Sequence, residues 1–216
     1  MVCIYRPTQL FLFSSEQMID GVLQGDALEI PTTNPTLPHV TCVNDTIMGP
    51  TVKLIIYKND NDVTGHLDRQ RMEMKANVGT KSLTATQQGD RFVYAWWFQI
   101  DPQMILDPKG RFFHIFQIKC VGINVSDDPL VTFSLSNSKQ FHMRLQYGNS
   151  SFTAVPLLNF NAMKGKWIQV FVEAVFKASG SVRVIMKDQN GVTLVPDQVH
   201  PHTVSVIQKI CKVIVS

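Results

Sequence analysis

Apolar residues recur at every second position in segment after segment between residues 52 and 188. A period of two is typical of β-strands, because successive side chains point to opposite faces of the sheet. No window between residues 53 and 188 carries a sustained helical period with capping residues. The pattern predicts a series of strands that begin near Val52, Phe92, Phe112, Val131, Phe141, Ile168 and Val182.

The predicted strands are short and are separated by turn residues such as Asp107-Pro108-Lys109-Gly110 and Asn190-Gly191. The segment from Phe92 to Ile100 is apolar on both faces, which predicts a central position in its sheet. Together the segments predict an all-β fold, a two-sheet antiparallel β-sandwich of jelly-roll type. We expect a single domain over residues 1–216, with an irregular N-terminal region over residues 1–50 and an atypical C-terminal tail over residues 196–216.

Composition and charge narrow the function classes. Hydrophobic residues make up 44% of the chain and charged residues 17%, which argues against disorder. Twenty basic and seventeen acidic residues are interspersed, so we expect no nucleic-acid partner recognised through a basic surface. No window approaches eighteen consecutive apolar residues, and we expect no membrane partner. Glycine-rich phosphate loops, nucleophile elbows and His-Glu-x-x-His zinc patterns are also absent.

Metal and cysteine patterns predict no cofactor. The four cysteines lie far apart, without the spacing of metal ligands, and they allow three disulfide pairings that the sequence leaves open. The polar segment Asn59-Asp60-Asn61-Asp62 fits a structural calcium ion in outline, but such a quartet is more typical of a turn.

Three glycosylation acceptor triplets, at Asn44, Asn124 and Asn149, favour a secreted glycoprotein. The apolar run at residues 10–13 is too short for a signal peptide, so the expected secretion rests on the triplets alone.

Polar residues with directed hydrogen-bonding groups share faces of several predicted strands. Arg69, Arg71, Glu73 and Lys75 fall on one face in a row about 20 Å long, opposite Met72. Such alternation also suits a solvated sheet face with cross-strand ion pairs and no ligand. Arg, Gln and His, however, recognise carboxylates and hydroxyls, and other strands add more of them. These further candidates are Gln99, Gln117, Lys119, His142, Arg144 and Gln146.

The three tryptophans, Trp96, Trp97 and Trp167, have rings that could stack on sugars, although we expect at least two of them in the core.

Three segments carry a resemblance to a known family: Asp68 to Glu73, Phe92 to Phe98 and Phe113 to Lys119. They resemble the β-jelly-roll polysaccharide lyases, the heparin-lyase-like and glucuronan or alginate lyase group, particularly its secreted fungal members. The resemblance covers residues 53–195. It implies β-elimination on an acidic, uronate-containing polysaccharide, which would be the partner of a monomeric protein.

The resemblance also assigns roles. Elimination requires a group that neutralises the uronate carboxylate, a base for the C5 proton and an acid for the leaving oxygen. Arg71 and Gln117 are the implied neutralising groups and His142 the implied base. Substrate contacts are expected from Arg69, Glu73, Lys75, Gln99, Lys119, Arg144 and Gln146.

His114 is the alternative base. In a regular strand His114 and Gln117, three residues apart, lie on opposite faces, so both can face one cleft only if a bulge intervenes. We therefore expect His114 in the core and Gln117 in the cleft.

One feature departs from the family. Such lyases close with a strand that bears a Gly-x-Tyr motif, whose tyrosine acts as acid and base, and residues 196–216 contain no tyrosine. Tyr94 and Tyr147 fall on apolar faces of their strands. A non-catalytic, lectin-like carbohydrate-binding jelly roll is therefore the second hypothesis, and an interaction sandwich without a sugar ligand is the third.

Overall fold

The structure is a computed structural model. It describes residues 2–5, 28–33, 36–57, 60–61, 70–75, 84–85, 90–106, 112–121, 129–136, 140–147, 151–177, 179–202 and 210–215. Strands are numbered β1 to β15 in chain order within this part of the chain.

The first sheet has seven described strands, and every neighbouring pair is antiparallel. Their order is β14-β13-β12-β7-β1-β4-β3, so β7 is central as predicted. The strands are β1 (Val2–Tyr5), β3 (Val40–Asp45), β4 (Gly49–Leu54), β7 (Asp90–Ile100), β12 (Trp167–Phe176), β13 (Gly180–Asp188) and β14 (Thr193–His202).

The second sheet has the order β11-β10-β9-β8-β15-β5-β2, and β6 also pairs with β15. Its strands are β2 (Leu28–Glu29), β5 (Glu73–Lys75), β6 (Thr84–Ala85), β8 (Phe113–Val121), β9 (Val131–Leu135), β10 (Gln140–Tyr147), β11 (Ser151–Asn159) and β15 (Ile210–Val215). A single turn of helix, α1 (Phe160–Met163), follows β11, and the Asn159 side chain accepts a hydrogen bond from the Asn161 backbone N–H at its start. No helix among the described residues has the length and apolar character needed to cross a bilayer.

The core lies between the inner faces of the two sheets. Phe98 of β7 and Phe133 and Phe141 of the second sheet are fully buried in it. The rings of Trp96 and Phe116 stack across the sandwich with centroids 4.6 Å apart. The predicted antiparallel β-sandwich is therefore confirmed, and its core is built by the apolar positions of the two-residue period.

The tryptophans divide as expected. Trp96 and Trp167 are buried, whereas Trp97 is partly exposed on the outer face of the first sheet.

Two expectations about the chain ends are wrong. Residues 1–50 are not simply irregular, since β1, β2, β3 and the start of β4 lie there. The pattern missed β3 because this strand forms an edge of the first sheet, where Cys42, Val43 and Asn44 are exposed and apolar alternation is not required. Residues 196–216 continue the fold, because they supply most of β14 and the whole of β15, which lies inside the second sheet between β8 and β5.

Candidate functional site

A β-bulge in β8 decides which side chains reach the outer face of the second sheet, the face turned away from the core. The pairing of β8 with β9 shifts between His114 and Phe116, so that Ile115 is an extra residue, fully buried in the core. His114 pairs with Ser134 and shares the outer face with Gln117. The expectation that His114 lies in the core is therefore wrong, because the inserted residue reverses the alternation upstream of it.

The bulge aligns six polar residues in two rows across β8, β9 and β10. Neighbouring strands are about 4.8 Å apart, so each row is about 10 Å long. The first row is His114, Ser134 and His142, and the second is Gln117, Thr132 and Arg144. We call these six residues the two-row cluster.

Hydroxyl groups connect the two rows. His114 Nδ1 lies 2.6 Å from Ser134 Oγ, and Ser134 Oγ donates to Thr132 Oγ1 over 3.0 Å. Both hydroxyl residues are buried although they face outward, and these hydrogen bonds satisfy them. The exposed ring of Phe112 stacks on His114 with centroids 4.3 Å apart. The His114 ring is thus held by one hydrogen bond and one aromatic contact.

Both cluster imidazoles are neutral at neutral pH. Burial, together with the charges of Arg144 and His142, lowers the pKa of His114 to about 4. Burial also lowers the pKa of His142, as does Arg144, while a hydrogen bond to the Gln140 backbone opposes the shift. Arg144 is therefore the permanent cation of the cluster, and the two histidines can accept protons.

An open depression adjoins the cluster on the β10–β11 side. Its volume is about 290 Å³ and it is lined by Ser136, Gln140, His142, Ala154 and Pro156. Beside it, the guanidinium carbon of Arg144 lies 3.6 Å from the ring centroid of Phe152, which is half exposed. This end of the outer face combines a cation, an imidazole and an exposed aromatic ring.

The other side of the cluster is acidic. Gln117 Nε2 donates to Glu73 Oε1 over 3.1 Å, and both side chains are buried. Arg71 Nε lies 3.7 Å from the same Glu73 oxygen, and another Arg71 nitrogen lies 3.8 Å from Glu29 Oε2. Arg71 and Gln117 thus meet at Glu73, but two carboxylates offset the charge of Arg71.

Gln99 does not join this group. It belongs to β7 of the first sheet, and its side chain donates to the Gly165 carbonyl over 3.2 Å. Strand alternation indicates the face of a strand but not the sheet to which the strand belongs, which explains the error.

The remaining predicted site residues are only partly described. Lys119 is partly buried on the outer face of the second sheet, where β8 pairs it with Lys212 of β15. Lys75 and Gln146 have backbone positions in β5 and β10, but their side chains lie outside the described part of the structure. Arg69 lies outside the described residues altogether.

Sequence reasoning missed Ser134 and Thr132. Their alternation with Val131, Phe133 and Leu135 looked like an ordinary solvated strand face. The available signal was two hydroxyl residues on the strand that lies between the two histidine-bearing strands. Without the register this signal could not be recognised.

Two tyrosine hydroxyls, those of Tyr94 and Tyr57, lie in the described part of the structure. Tyr94 is buried in the core, as predicted, and burial raises the pKa of its phenol. Tyr57 donates to the Pro38 carbonyl over 3.2 Å. Tyr147, predicted on an apolar face, has its ring outside the described part.

The segment considered for calcium is engaged with protein groups where it is described. Asp60 Oδ2 accepts from the Tyr57 backbone and lies 3.3 Å from His39 Nε2. Asn61 Oδ1 accepts from the Thr32 backbone over 2.9 Å. No group of three or more His, Cys, Asp or Glu side chains positioned to hold a metal occurs among the described residues. Asn59 and Asp62 lie outside them, so the choice between a turn and a calcium site, of which the sequence favours the turn, is not tested in full.

These features define the class of fold, an antiparallel β-sandwich of jelly-roll type with a polar cluster on the outer face of one sheet. Among solved structures the chain is similar to an endo-β-1,4-glucuronan lyase from the fungus Trichoderma reesei, with a TM-score of 0.56, 17% identity, and coverage of 82% of this chain and 74% of that one. A carbohydrate esterase from the Shiga toxin-encoding bacteriophage phi24B superposes with a TM-score of 0.43, 14% identity and coverage of 81% and 78%. At such identity the first likeness establishes the fold alone.

Comparison of the sequence with protein-family models and with curated proteins finds no match.

Proposed function

We propose that the protein binds an acidic, uronate-containing polysaccharide on the outer face of the second sheet and cleaves it by β-elimination. The observation that carries this proposal is the two-row cluster, which brings one permanent cation, two neutral imidazoles and an amide onto one face. The likeness to a fungal glucuronan lyase supports the same reading at the level of the fold.

Arg144 is better suited than Arg71 to neutralise the uronate carboxylate. Arg71 already faces Glu73 and Glu29, whereas Arg144 lies against the uncharged ring of Phe152 beside the open depression. A carboxylate bound by a guanidinium withdraws electrons from C5 and makes its proton more acidic. Gln117 supports the site from the other side by holding Glu73.

The elimination itself balances without a cofactor. A neutral imidazole takes the C5 proton, the C5–H electrons form the C4–C5 double bond, and the C4–O bond breaks as the leaving oxygen takes a proton from the imidazolium so formed. A histidine with a lowered pKa stays unprotonated over a wide pH range, so it remains available as the base.

The second candidate function is carbohydrate binding without cleavage. It is favoured by the two described tyrosine hydroxyls, because Tyr94 is buried in the core and Tyr57 donates its proton to the Pro38 carbonyl. A hydroxyl buried between the sheets cannot protonate a leaving oxygen on the outer face, and the Tyr57 proton is already donated.

The test is incubation with glucuronan, alginate or heparin while the ultraviolet absorbance of an unsaturated uronate is followed. We expect the absorbance to rise with at least one polymer and to be lost in Arg144→Met. Arg183→Met is the matched control, because Arg183 is paired with Asp197 on the first sheet and should not affect activity.

If no polymer gives the absorbance but a glycan array shows uronate binding that Arg144→Met abolishes, the binding function replaces the lyase. If neither cleavage nor uronate binding is detected, both candidate functions are contradicted.

A further inference from the structure

We propose that Ser134 is a positioning residue that holds His114 in the tautomer with its proton on Nδ1, so that Nε2 is the proton acceptor of the site. This assigns the role of base to His114 instead of His142. The assignment of the base rests on the proposed function, whereas the tautomer can be tested without it.

The position of Ser134 between two groups carries the inference. Its Oγ lies 2.6 Å from His114 Nδ1 and 3.0 Å from Thr132 Oγ1, and its single proton can be donated to only one of them. In this proposal the proton is donated to Thr132, so the Ser134 oxygen accepts from His114 Nδ1, which then carries the imidazole proton. In a neutral imidazole the other nitrogen, Nε2, consequently carries the free lone pair.

The His114 ring is also fixed in orientation. Ser134 holds one edge and the ring of Phe112 covers one face. Within the part of the chain that the structure describes, His114 Nε2 has no protein hydrogen-bond partner, and the His114 side chain is only partly buried. Nε2 therefore lies where a substrate proton can reach it.

A hydroxyl is a suitable orienting group on a surface that binds a polyanion. The side chains whose charged forms lower the pKa of His114 are Arg144 and, when protonated, His142, both on β10, whereas Ser134 and Thr132 on β9 carry no charge. A carboxylate in the place of Ser134 would raise the basicity of the imidazole but would repel the uronate. A serine fixes the tautomer without adding negative charge.

The tautomer is tested by nitrogen-15 NMR of the histidine side chains at neutral pH, with His114 assigned by its loss in His114→Gln. We expect long-range correlations that show a protonated Nδ1 and an unprotonated Nε2. Ser134→Ala should give a mixture of tautomers, and Ser134→Thr should restore the single form. Ser181→Ala, on the first sheet, is the matched control. A proton on Nε2 in the natural protein, or an unchanged spectrum in Ser134→Ala, overturns the positioning role.

The base assignment is tested by kinetics. His114→Ala should lower kcat by about 100-fold or more, with a smaller change in KM. Ser134→Ala should lower kcat at least about tenfold, and Ser134→Thr should recover it. Cleavage that survives His114→Ala overturns the base role. If the natural protein cleaves no polyuronate but shows the expected spectrum, the proposed function and the base assignment that rests on it are overturned, and the positioning role of Ser134 stands.

Discussion

At the scale of single residues, His114 and His39 show that the same side chain has different roles in different surroundings. His114 is partly buried beside a hydroxyl, Arg144 and His142, and this burial, reinforced by the charge of Arg144, favours its neutral form. His39 is buried, its Nδ1 lies 2.9 Å from the Leu37 carbonyl, and its Nε2 lies 3.3 Å from Asp60 Oδ2. Because a carbonyl only accepts hydrogen bonds, His39 Nδ1 carries a proton. His114 thus belongs to the candidate site, whereas His39 has a structural role in contacts with Leu37 and Asp60.

His114 should make the folded state less stable in acid. Its folded-state pKa of about 4 lies below its ordinary value of 6.5. As the pH falls from 6.5 towards 4, the unfolded chain takes up a proton that the folded chain does not, so the free energy of unfolding decreases by about 2 kcal/mol after allowance for partial exposure. Urea unfolding at neutral and acidic pH measures this decrease, which should largely disappear in His114→Gln.

His142→Gln is the comparison variant for this experiment. The pKa of His142 is also lowered, but a hydrogen bond to the Gln140 backbone opposes the shift. His142→Gln should therefore change the acid dependence of the free energy of unfolding less than His114→Gln does. An acid-dependent decrease of the same size in His114→Gln and the natural protein would contradict the prediction.

The buried contact of His39 with Asp60 should contribute strongly to stability. Both side chains are almost fully inaccessible, so Asp60→Ala leaves a buried imidazole without its acidic partner and the Tyr57 backbone N–H without its acceptor. We expect a loss of about 3 kcal/mol or more in the free energy of unfolding. Asp197→Ala, which removes an exposed partner of Arg183, should cost far less in the same denaturation assay. Equal losses would contradict this expectation.

At the scale of elements, the two-residue period predicted seven of the fifteen described strands, namely β4, β7, β8, β9, β10, β12 and β13, and the face of most of their side chains. The period could not predict the bulge at Ile115. Ile115 and Phe116 are both apolar, so in a regular strand either residue could be the one that faces the core. The period also missed β3, because edge strands need no alternation. Ser134 and Thr132 could be assigned to a face but not to a partner, since register depends on contacts between distant segments.

The hairpin between β12 and β13 depends on Gly180. A Cβ atom at this position would lie 2.1 Å from the Val175 backbone oxygen, so Gly180→Ala forces the backbone to move. Gly191, in the next turn, has a φ of +80° but open space around it. Gly191→Ala should therefore cost only about 1 kcal/mol, from its left-handed backbone. Gly180→Ala should lower the melting temperature clearly more, and a smaller effect than that of Gly191→Ala would contradict the expected clash.

At the scale of the whole molecule, the two outer faces differ in charge balance. On the first sheet, Arg91 pairs with Glu173 at 2.6 Å and Arg183 pairs with Asp197. On the second sheet, Arg144 lies among neutral histidines, and the carboxylates lie on the far side beside Arg71. The sequence indicated which cationic and amide side chains are candidates for a binding face. It could not assign Gln99 to the first sheet, because the sheet to which a strand belongs depends on pairing between distant segments.

This asymmetry predicts salt-dependent polyanion binding at one face. Raising the salt concentration from about 0.05 M to about 0.5 M should weaken the binding of a uronate oligosaccharide, because screening reduces the attraction of exposed charges. Arg144→Met should weaken binding at low salt and flatten the salt dependence, whereas Arg183→Met should change neither. Isothermal titration calorimetry measures both, and an affinity that is insensitive to salt would contradict the ionic part of the prediction.

The position of β15 has a consequence for how the chain is made. Because residues 210–215 lie between β8 and β5, β8 keeps one row of backbone groups unpaired until about 90 further residues have left the ribosome. During that interval the strand can recruit segments of other nascent chains, a common route to aggregation. A low yield or a dependence on chaperones during expression would therefore result from the unpaired edge of β8 and would be independent of the candidate site.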